Sequence, residues 1–226
     1  MTDEIYDELI TSSFDGTYKD ISKLLENEEA LNYTVDDIVN QWGERIDSNI
    51  KRIVCPVDDK VFAAALAKRL GIKVTECSPY EGIMIDAEDL KPGDKVIIAG
   101  SAICGGSLYF SMYSLLEDMG YVVEGFAFIV EKVWHRGRYK LIDSITTTCK
   151  LGIVTAVKYG VTVGNFVRFD CRHNGLGIRE FRVLSVQDKE IGVKWLDGPR
   201  PVEKKFPKER IIAISFNKLN WFKYRP

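Results

Sequence analysis

The sequence predicts an α/β protein, with a mostly parallel sheet flanked by helices, followed by a small all-β barrel at the C-terminal end. Between residues 34 and 149, strand-like runs alternate with helix-like runs, which is typical of right-handed parallel units. After residue 149, short strand-like runs follow one another between turn residues, and little helix is indicated. The charge changes at the same place. Residues 1–150 carry 16 Lys and Arg against 26 Asp and Glu, and residues 151–226 carry 15 against 7.

The composition is that of a globular protein with one large domain or with a medium domain and a small companion. The chain has 226 residues, of which 46% are hydrophobic and 28% are charged, so a substantial core is expected. No run approaches a membrane span, and the acidic start lacks the features of a signal peptide. The five cysteines are odd in number and form no C-x-x-C pair. We therefore expect reduced thiols, no structural zinc and a cytoplasmic location without a membrane partner.

The first segment, residues 1–33, is predicted to be an N-terminal helical extension. A second helix is predicted to begin at Thr34, because acidic residues follow it at the positive end of a helix dipole. It is predicted to run to about residue 49. The apolar positions that recur at helical spacing are Ile38, Trp42 and Ile46. The α/β domain is accordingly predicted to span residues 34–149.

Within that domain, strands and helices are predicted in alternation up to residue 130. The predicted order is a strand at 52–55, a helix at 61–70, short strands at 72–75 and 83–85, a buried strand at 96–99, a helix from 108 to 119 and a long apolar strand at 121–130. Ligands of such sheets bind at the carboxyl ends of the strands. This rule places residues 55–59 and 100–107 at the same rim of the sheet.

A turn of small residues joins the buried strand to the next helix, in the sequence KVIIAGSAICGGSL of residues 95–108. Such a turn allows backbone N–H groups to approach an anion closely, and the helix dipole favours negative charge there. The candidate phosphate-binding residues are Cys104, Gly105, Gly106 and Ser107. The alternative is that a tight strand-to-helix turn needs glycine whether or not it binds anything.

Residues 91–141 resemble the type I phosphoribosyltransferases, in particular the adenine enzymes. The family has a Pro-Gly-Asp turn, a hydrophobic strand, two acids, a Thr-Gly-Gly-Thr-like loop, a helix, an apolar strand and a Gly-Arg-x-Lys-Leu segment. The matching positions are Pro92-Gly93-Asp94, the strand at 96–99, Gly105-Gly106-Ser107 and Gly137-Arg138-Tyr139-Lys140-Leu141. Residues 53–67 resemble the family's first strand, its loop on the pyrophosphate side and the following helix. The resemblance covers roughly residues 34–149 and implies that the glycine loop holds a 5′-phosphate.

The chain departs from the family at the end of the buried strand. There the family has two adjacent acids that hold the ribose hydroxyls and help to organise the magnesium-bound substrate, whereas this chain has Ala99-Gly100-Ser101. Neutral side chains supply neither the acceptors nor the charge. The segment at 76–90 is also too short for the family's flexible hood. Asp58 and Asp59 are the acidic doublet nearest the predicted rim, and they are candidate catalytic residues unless they are simply solvated.

The C-terminal module, residues 150–226, is predicted to be a small basic barrel of the SH3, Tudor or OB type. The run 193–198 is similar to a short pattern of Tudor-like and KOW-like barrels. Basic residues contact phosphates and aromatic residues stack on bases, so the module is predicted to bind DNA, RNA or a nucleoprotein. The candidate residues are Arg179, Arg182, Lys194, Lys204, Lys205 and Lys208. The alternatives are a solvated basic face, or docking of the two oppositely charged halves.

These observations favour a phosphoribosyltransferase-like protein that has lost catalysis and acts in binding or regulation. It would bind a nucleotide, a phosphoribosyl compound or phosphate at the glycine loop, without a cofactor or a metal. One alternative is a divergent active transferase that uses phosphoribosyl pyrophosphate and Mg²⁺, with Asp58 and Asp59 at a rebuilt metal site. Another is a structural subunit of a larger complex. A second copy of the chain is a further candidate partner.

Overall fold

The computed structural model describes residues 4–12, 19–145, 149–161, 163–170, 178–187, 190–195, 203–208, 211–215 and 222–223. The chain forms two compact units. The first consists of Met1–Glu131 and Arg136–Val157, and the second of Lys132–His135 and Lys158–Pro226. Within the described ranges, none of the helices is long and apolar enough to cross a membrane.

The first unit contains all six α-helices of the described ranges. They are α1 (Glu4–Leu9), α2 (Ser22–Glu26), α3 (Glu28–Trp42), α4 (Lys60–Leu70), α5 (Ser107–Asp118) and α6 (Gly137–Ser144). Its strands are β1 (Thr11–Ser12), β2 (Lys19–Asp20), β3 (Ile50–Cys55), β4 (Lys73–Ser78), β5 (Ile83–Ile85), β6 (Lys95–Ile103), β7 (Val122–Lys132) and β8 (Gly152–Tyr159). The last residues of β7 and β8 continue into the second unit.

The main sheet has six strands in the order β5-β4-β3-β6-β7-β8. Strand β3 is parallel to both β4 and β6, and β6 is parallel to β7, while β5 is an antiparallel edge strand. The predicted mostly parallel sheet flanked by helices is therefore confirmed. Its carboxyl ends bring the end of β3 and the end of β6 to one rim, as expected for such a fold.

The core of the first unit forms where α5 covers β6 and β7. Met112 and Leu116 of α5 are fully buried against Val96, Ile98 and Phe126 of the two strands. Removing this apolar surface from water is the main favourable contribution to the stability of such a layer. The buried helix therefore fixes where its own N-terminus stands relative to the end of β6.

The helix that was predicted to begin at Thr34 begins earlier. Helix α3 starts at Glu28 and is capped by Asn27, whose side chain accepts a hydrogen bond from the Ala30 N–H at 3.0 Å. Thr34 lies inside the helix and donates its hydroxyl to the Ala30 carbonyl at 2.8 Å. Gly43, at φ 56, ends the helix before Ile46. The predicted start was wrong because an Asn cap followed by two acids is the stronger start signal, and the predicted boundary at residue 33 falls within α3.

The predicted boundary at residue 150 also differs from the structure. Strand β8 was assigned to the C-terminal barrel, but it is the sixth strand of the main sheet. At its start the Leu151 N–H donates to the Glu124 carbonyl at 2.8 Å. The first unit accordingly continues to Val157. A period of two residues identifies a strand but does not say which sheet it joins.

The second unit contains a six-stranded antiparallel sheet. Its strands are β9 (Phe166–Asp170), β10 (Ile178–Val186), β11 (Glu190–Trp195), β12 (Glu203–Pro207), β13 (Ile211–Ser215) and β14 (Phe222–Lys223), in the order β12-β11-β10-β9-β13-β14. One face carries a hydrophobic cluster that includes Val167, Phe169, Phe181 and Val193. The predicted small all-β module is confirmed. Within the described residues, β12 and β14 are the edges of its sheet. Neither is among the strand-like runs that the sequence indicates for this module, which are 152–159, 161–170, 178–186, 191–196 and 210–216.

Buried thiols give the first unit a defined response to alkaline pH. Burial raises the pKa of Cys55 to about 12 and those of Cys77 and Cys149 to about 11, from an ordinary 9.0. Above pH 9 the unfolded chain loses thiol protons that the folded chain keeps, so the free energy of unfolding should fall as the pH rises. Urea unfolding at a series of pH values from neutral to about 10.5 measures this fall. We expect a shallower dependence for Cys55→Ala, and an unchanged slope would contradict the assignment.

Candidate phosphate-binding loop

The loop between β6 and α5 is built so that backbone N–H groups line it. Strand β6 ends at Ile103 and α5 begins at Ser107. Gly106 is the N-cap residue at φ 76, a left-handed conformation that favours glycine. The cap has no side-chain hydrogen bond. The first N–H groups of α5 therefore point out of the helix end, where an anion would be stabilised.

The N-terminus of α6 closes against this loop. Gly137, its first residue, is buried. A Cβ atom at this position would collide with the Cys104 carbonyl oxygen and would lie 3.0 Å from the amide nitrogen of Gly106. A Cβ atom on Gly106 would in turn lie 2.8 Å from the Gly137 carbonyl oxygen. Two helix N-termini therefore meet here with no side chain between them.

A buried ion pair holds α6 in this position. Arg138 donates from Nε to Glu131 Oε1 at 2.9 Å and from Nη2 to Glu131 Oε2 at 2.6 Å. The side chains are 12% and 3% exposed. Its Nη1 also donates to the Ile153 carbonyl at 2.6 Å. Because Glu131 is on β7 and Ile153 on β8, the pair fixes the residue beside Gly137 to two strands of the sheet.

Lys140 brings a cation to the same loop. Its Nζ donates to Ser107 Oγ at 2.8 Å, and both residues are exposed. An ammonium group, a hydroxyl and helix N–H groups are the kinds of donor that bind phosphate oxygens. Of the four predicted residues, Cys104 is half-buried and Gly105 is exposed, while Gly106 is covered by Gly137. The loop is therefore open to solvent on its Gly105–Ser107 side.

Tyr109 fills the space beside Gly100 of β6, the position that the resemblance assigns to the family's acids. The side chain is 5% exposed. A Cβ atom on Gly100 would collide with its phenolic oxygen. Its hydroxyl donates to Asp59 Oδ2 at 3.1 Å, and its ring meets Phe128 edge-on at a centroid distance of 4.6 Å. The position beside Gly100 is thus occupied by an aromatic ring rather than by carboxylates.

The phenol of Tyr109 is held in its neutral form. Burial is the main cause that raises its pKa well above the ordinary value of 10.0, and the carboxylate of Asp59 adds to the effect. A backbone hydrogen bond with Ala102 acts in the opposite direction. At physiological pH, Tyr109 is therefore a hydrogen-bond donor to Asp59 and carries no charge.

The acidic doublet lies on the predicted rim, in the short 3₁₀ helix Val57–Asp59 that follows β3. Asp59 is half-buried and Asp58 is exposed. One oxygen of Asp59 is used by Tyr109. Among the described residues, no group of three or more His, Cys, Asp or Glu side chains is placed to hold a metal ion. The two carboxylates therefore differ in surroundings, and Asp59 accepts a hydrogen bond from α5.

The sequence missed Tyr109 as a site residue, although it lies two positions after Ser107. Side chains in the first turn of a helix point back toward the helix N-terminus. A large residue at this position is therefore directed over the end of the preceding strand. Gly100 has no side chain, so the space above it is open. Together with this rule, that glycine was the sequence signal for the packing of Tyr109 over β6.

The six basic candidates of the second unit are divided between the two faces of its sheet. Arg182 lies opposite Lys194 across β10 and β11, and Lys205 lies opposite Gly192. Directly opposed residues of antiparallel strands share a face. Because Gly192 and Lys194 are two residues apart on β11, the three basic residues lie on one face.

The other three candidates do not join this group. Lys204 is opposite Val193 and Arg179 is opposite Phe169. Both partners belong to the hydrophobic cluster, so Lys204 and Arg179 project on the face that carries that cluster. Lys208 follows the end of β12. The structure therefore brings three of the six predicted residues together.

The contact between Tyr109 and Gly100 can be tested with a pair of substitutions. Gly100→Ala should lower the free energy of unfolding by about 1–3 kcal/mol, because the added methyl group forces the phenol out of place. In a Tyr109→Leu background the same change should cost much less, because the ring is gone. Urea unfolding of the four proteins measures this coupling. Equal costs in both backgrounds would show that Tyr109 does not cover Gly100.

No protein-family model matches the chain. The adenine phosphoribosyltransferase of Clostridium tetani (strain Massachusetts / E88) is 28% identical over 144 residues, which cover 55% of this chain and 82% of that protein. The crystal structure of adenine phosphoribosyltransferase from Thermoanaerobacter pseudethanolicus matches with a TM-score of 0.58 at 21% identity, over 70% of this chain and 99% of that one. The Giardia lamblia enzyme in complex with 9-deazaadenine matches with a TM-score of 0.58 at 17% identity, over 71% and 99%. From its sequence relatives and its fold, the chain is related to the type I phosphoribosyltransferase family.

Proposed function

We propose that the first unit binds a phosphorylated ligand at residues 104–107 and does not catalyse phosphoribosyl transfer. The observation that carries this proposal is the position of Tyr109. Its ring lies over Gly100, and its hydroxyl donates to Asp59 at 3.1 Å. Beside this position, the β6–α5 loop retains its glycines and its helix N-terminus. The position that the resemblance assigns to the ribose-binding acids holds the ring of Tyr109.

The loop offers the donors that a phosphate group requires. The exposed Ser107 hydroxyl and the Lys140 ammonium lie 2.8 Å apart. The first N–H groups of α5 stand beside them, with the positive end of the helix dipole. Resemblance to the family suggests the 5′-phosphate of a nucleotide or of a phosphoribosyl compound as the ligand.

The surroundings of the loop disfavour transfer chemistry. A transferase of this family needs carboxylates that accept the ribose hydroxyls, and a neutral phenol with a raised pKa supplies no such charge. Asp59 has one oxygen already engaged. Electrostatic groups that stabilise a transition state are each worth several kcal/mol, so the loss of two acids should reduce the rate by orders of magnitude.

Binding at the loop is tested by calorimetry on the full chain with inorganic phosphate, adenosine monophosphate and phosphoribosyl pyrophosphate. Ser107→Ala and Lys140→Ala should each weaken binding about tenfold, because a charge-assisted hydrogen bond to phosphate is lost. Ser111→Ala on the same helix and Lys68→Ala on the exposed end of α4 serve as matched controls. Binding that all four variants retain, or no binding by the unaltered chain, would refute the phosphate site.

Phosphoribosyl transfer is tested separately, by incubating the chain with adenine, phosphoribosyl pyrophosphate and Mg²⁺. We expect no adenosine monophosphate above the uncatalysed background, because the acids are absent from the end of β6. The second candidate function, a divergent active transferase, is favoured by the 28% identity to an adenine phosphoribosyltransferase. Product formation that is lost in Asp58→Asn or Asp59→Asn would establish that candidate instead.

For the second unit we propose nucleic-acid binding. Residues 151–226 carry 15 Lys and Arg against 7 Asp and Glu, and cationic surfaces of this kind attract polyanions. Arg182 and Lys205 are exposed. The proposed partner is DNA, RNA or a nucleoprotein. Whether the chain also pairs with a second copy of itself stays a prediction from the sequence.

A further inference from the structure

We infer that single-stranded nucleic acid lies across one face of the second unit's sheet, on Arg182, Lys194 and Lys205. This inference rests on the nucleic-acid binding proposed for the second unit and assigns it to a surface. The surface is the outer face, defined as the face of β9–β12 opposite the hydrophobic cluster of Val167, Phe169, Phe181 and Val193.

Cross-strand pairing arranges the outer face in rows. In the first row, Phe166 of β9, Arg182 of β10 and Lys194 of β11 are direct partners. In the next row, Gly192 of β11 is the partner of Lys205 on β12. Neighbouring strands are about 4.8 Å apart, so the three cations form a compact group that spans three strands.

A β-bulge adds a hydroxyl to the second row. The register of β10 against β11 shifts between Val183 and Ser185, so that Ser185 becomes the partner of Gly192. A Cβ atom on Gly192 would collide with the Ser185 hydroxyl oxygen, which places this hydroxyl on the outer face over the glycine. Bulges commonly turn a side chain to a different face. The exposed Ser185 therefore supplies a donor between Arg182 and Lys205.

The outer face carries charges of both signs, and three of its cations are grouped on neighbouring strands. Arg168 and Glu180 lie on the same face and neutralise each other, with Nη2 and Oε1 2.6 Å apart. Among the side chains that the structure describes, Arg182 and Lys205 form no ion pair with a carboxylate. The acidic positions of the same face stand at strand ends, and they are Asp170 of β9, Glu190 of β11 and Glu203 of β12. Of the three cations, only Lys194 has an acid as a direct cross-strand partner.

The shape of the surface favours one strand over a duplex. Side chains read a duplex from an element that enters a groove, such as a helix or a two-stranded ribbon. A sheet face instead binds single-stranded nucleic acid lying flat, with cations beside the phosphate backbone and space for the bases on the sheet. The group of three cations across three strands suits a short stretch of one phosphate backbone.

Two adjacent lysines provide a matched test of which face of the sheet binds the nucleic acid. Lys204 and Lys205 are both exposed on β12, but their side chains project on opposite faces, because Lys204 pairs with Val193 of the hydrophobic cluster. Lys205→Glu and Lys204→Glu make the same change of charge one residue apart. Any effect of net charge alone is therefore common to both variants.

The experiment is fluorescence anisotropy of a labelled single-stranded oligonucleotide with the full chain, over a series of salt concentrations. For three phosphate contacts, the slope of log K against log salt should be about −2. Arg182→Glu, Lys194→Glu and Lys205→Glu should each weaken binding about tenfold at low salt and make the slope shallower. Lys204→Glu should retain the slope of the unaltered chain. Circular dichroism spectra that match the unaltered chain confirm that each variant is folded.

The outcomes separate the inference from the function on which it rests. Equal losses of affinity in Lys204→Glu and Lys205→Glu would leave nucleic-acid binding by the second unit in place. They would overturn the assignment of that binding to the outer face. A duplex that competes as well as the single strand would overturn the choice of ligand. No binding by the unaltered chain at low salt would overturn the inference together with the proposed function of the second unit.

Discussion

The buried pair of Arg138 and Glu131 is the interaction on which the loop region depends. Three hydrogen bonds join the side chains, and another joins Arg138 to the Ile153 carbonyl. Burying two charges is costly unless their hydrogen bonds are satisfied, as they are here, and removing one partner leaves the other uncompensated. The pair holds α6 to β7 and β8. It thereby sets Gly137 against the Cys104 carbonyl and brings Lys140 to Ser107.

On this scaffold, one tyrosine changes the chemistry that the rim can offer. Tyr109 packs over Gly100 and donates to Asp59, so a neutral and desolvated group stands beside Gly100 of β6. The helix end, the glycine loop and the nearby cation do not depend on that position. The proposed function therefore treats anion binding and transfer catalysis as separable properties of the same fold, as expected when function resides in the site rather than in the architecture.

In the second unit, the alternation of side chains along each strand determines which face of the sheet carries each charge. Lys204 and Lys205 are neighbours in the sequence, yet they project on different faces because successive residues of a strand alternate. The cross-strand pairing, and not the basic composition alone, therefore determines which face of the sheet each basic side chain occupies. The bulge at Ser185 alters that alternation locally and places a hydroxyl among the cations of the outer face.

The sequence by itself determined the two fold classes, the alternation of strands and helices and the glycine loop, because these depend on local periodicity and on turn residues. It also indicated that Ala99-Gly100-Ser101 stands where the resembled family has two adjacent acids. The tertiary structure decided which sheet β8 joins, since a strand pattern does not name its neighbour. It also decided that Tyr109 fills the space at Gly100 and that Asp59 accepts its hydroxyl. Those contacts join residues about 10 and 50 positions apart, and only the packing of α5 on the sheet brings such residues together.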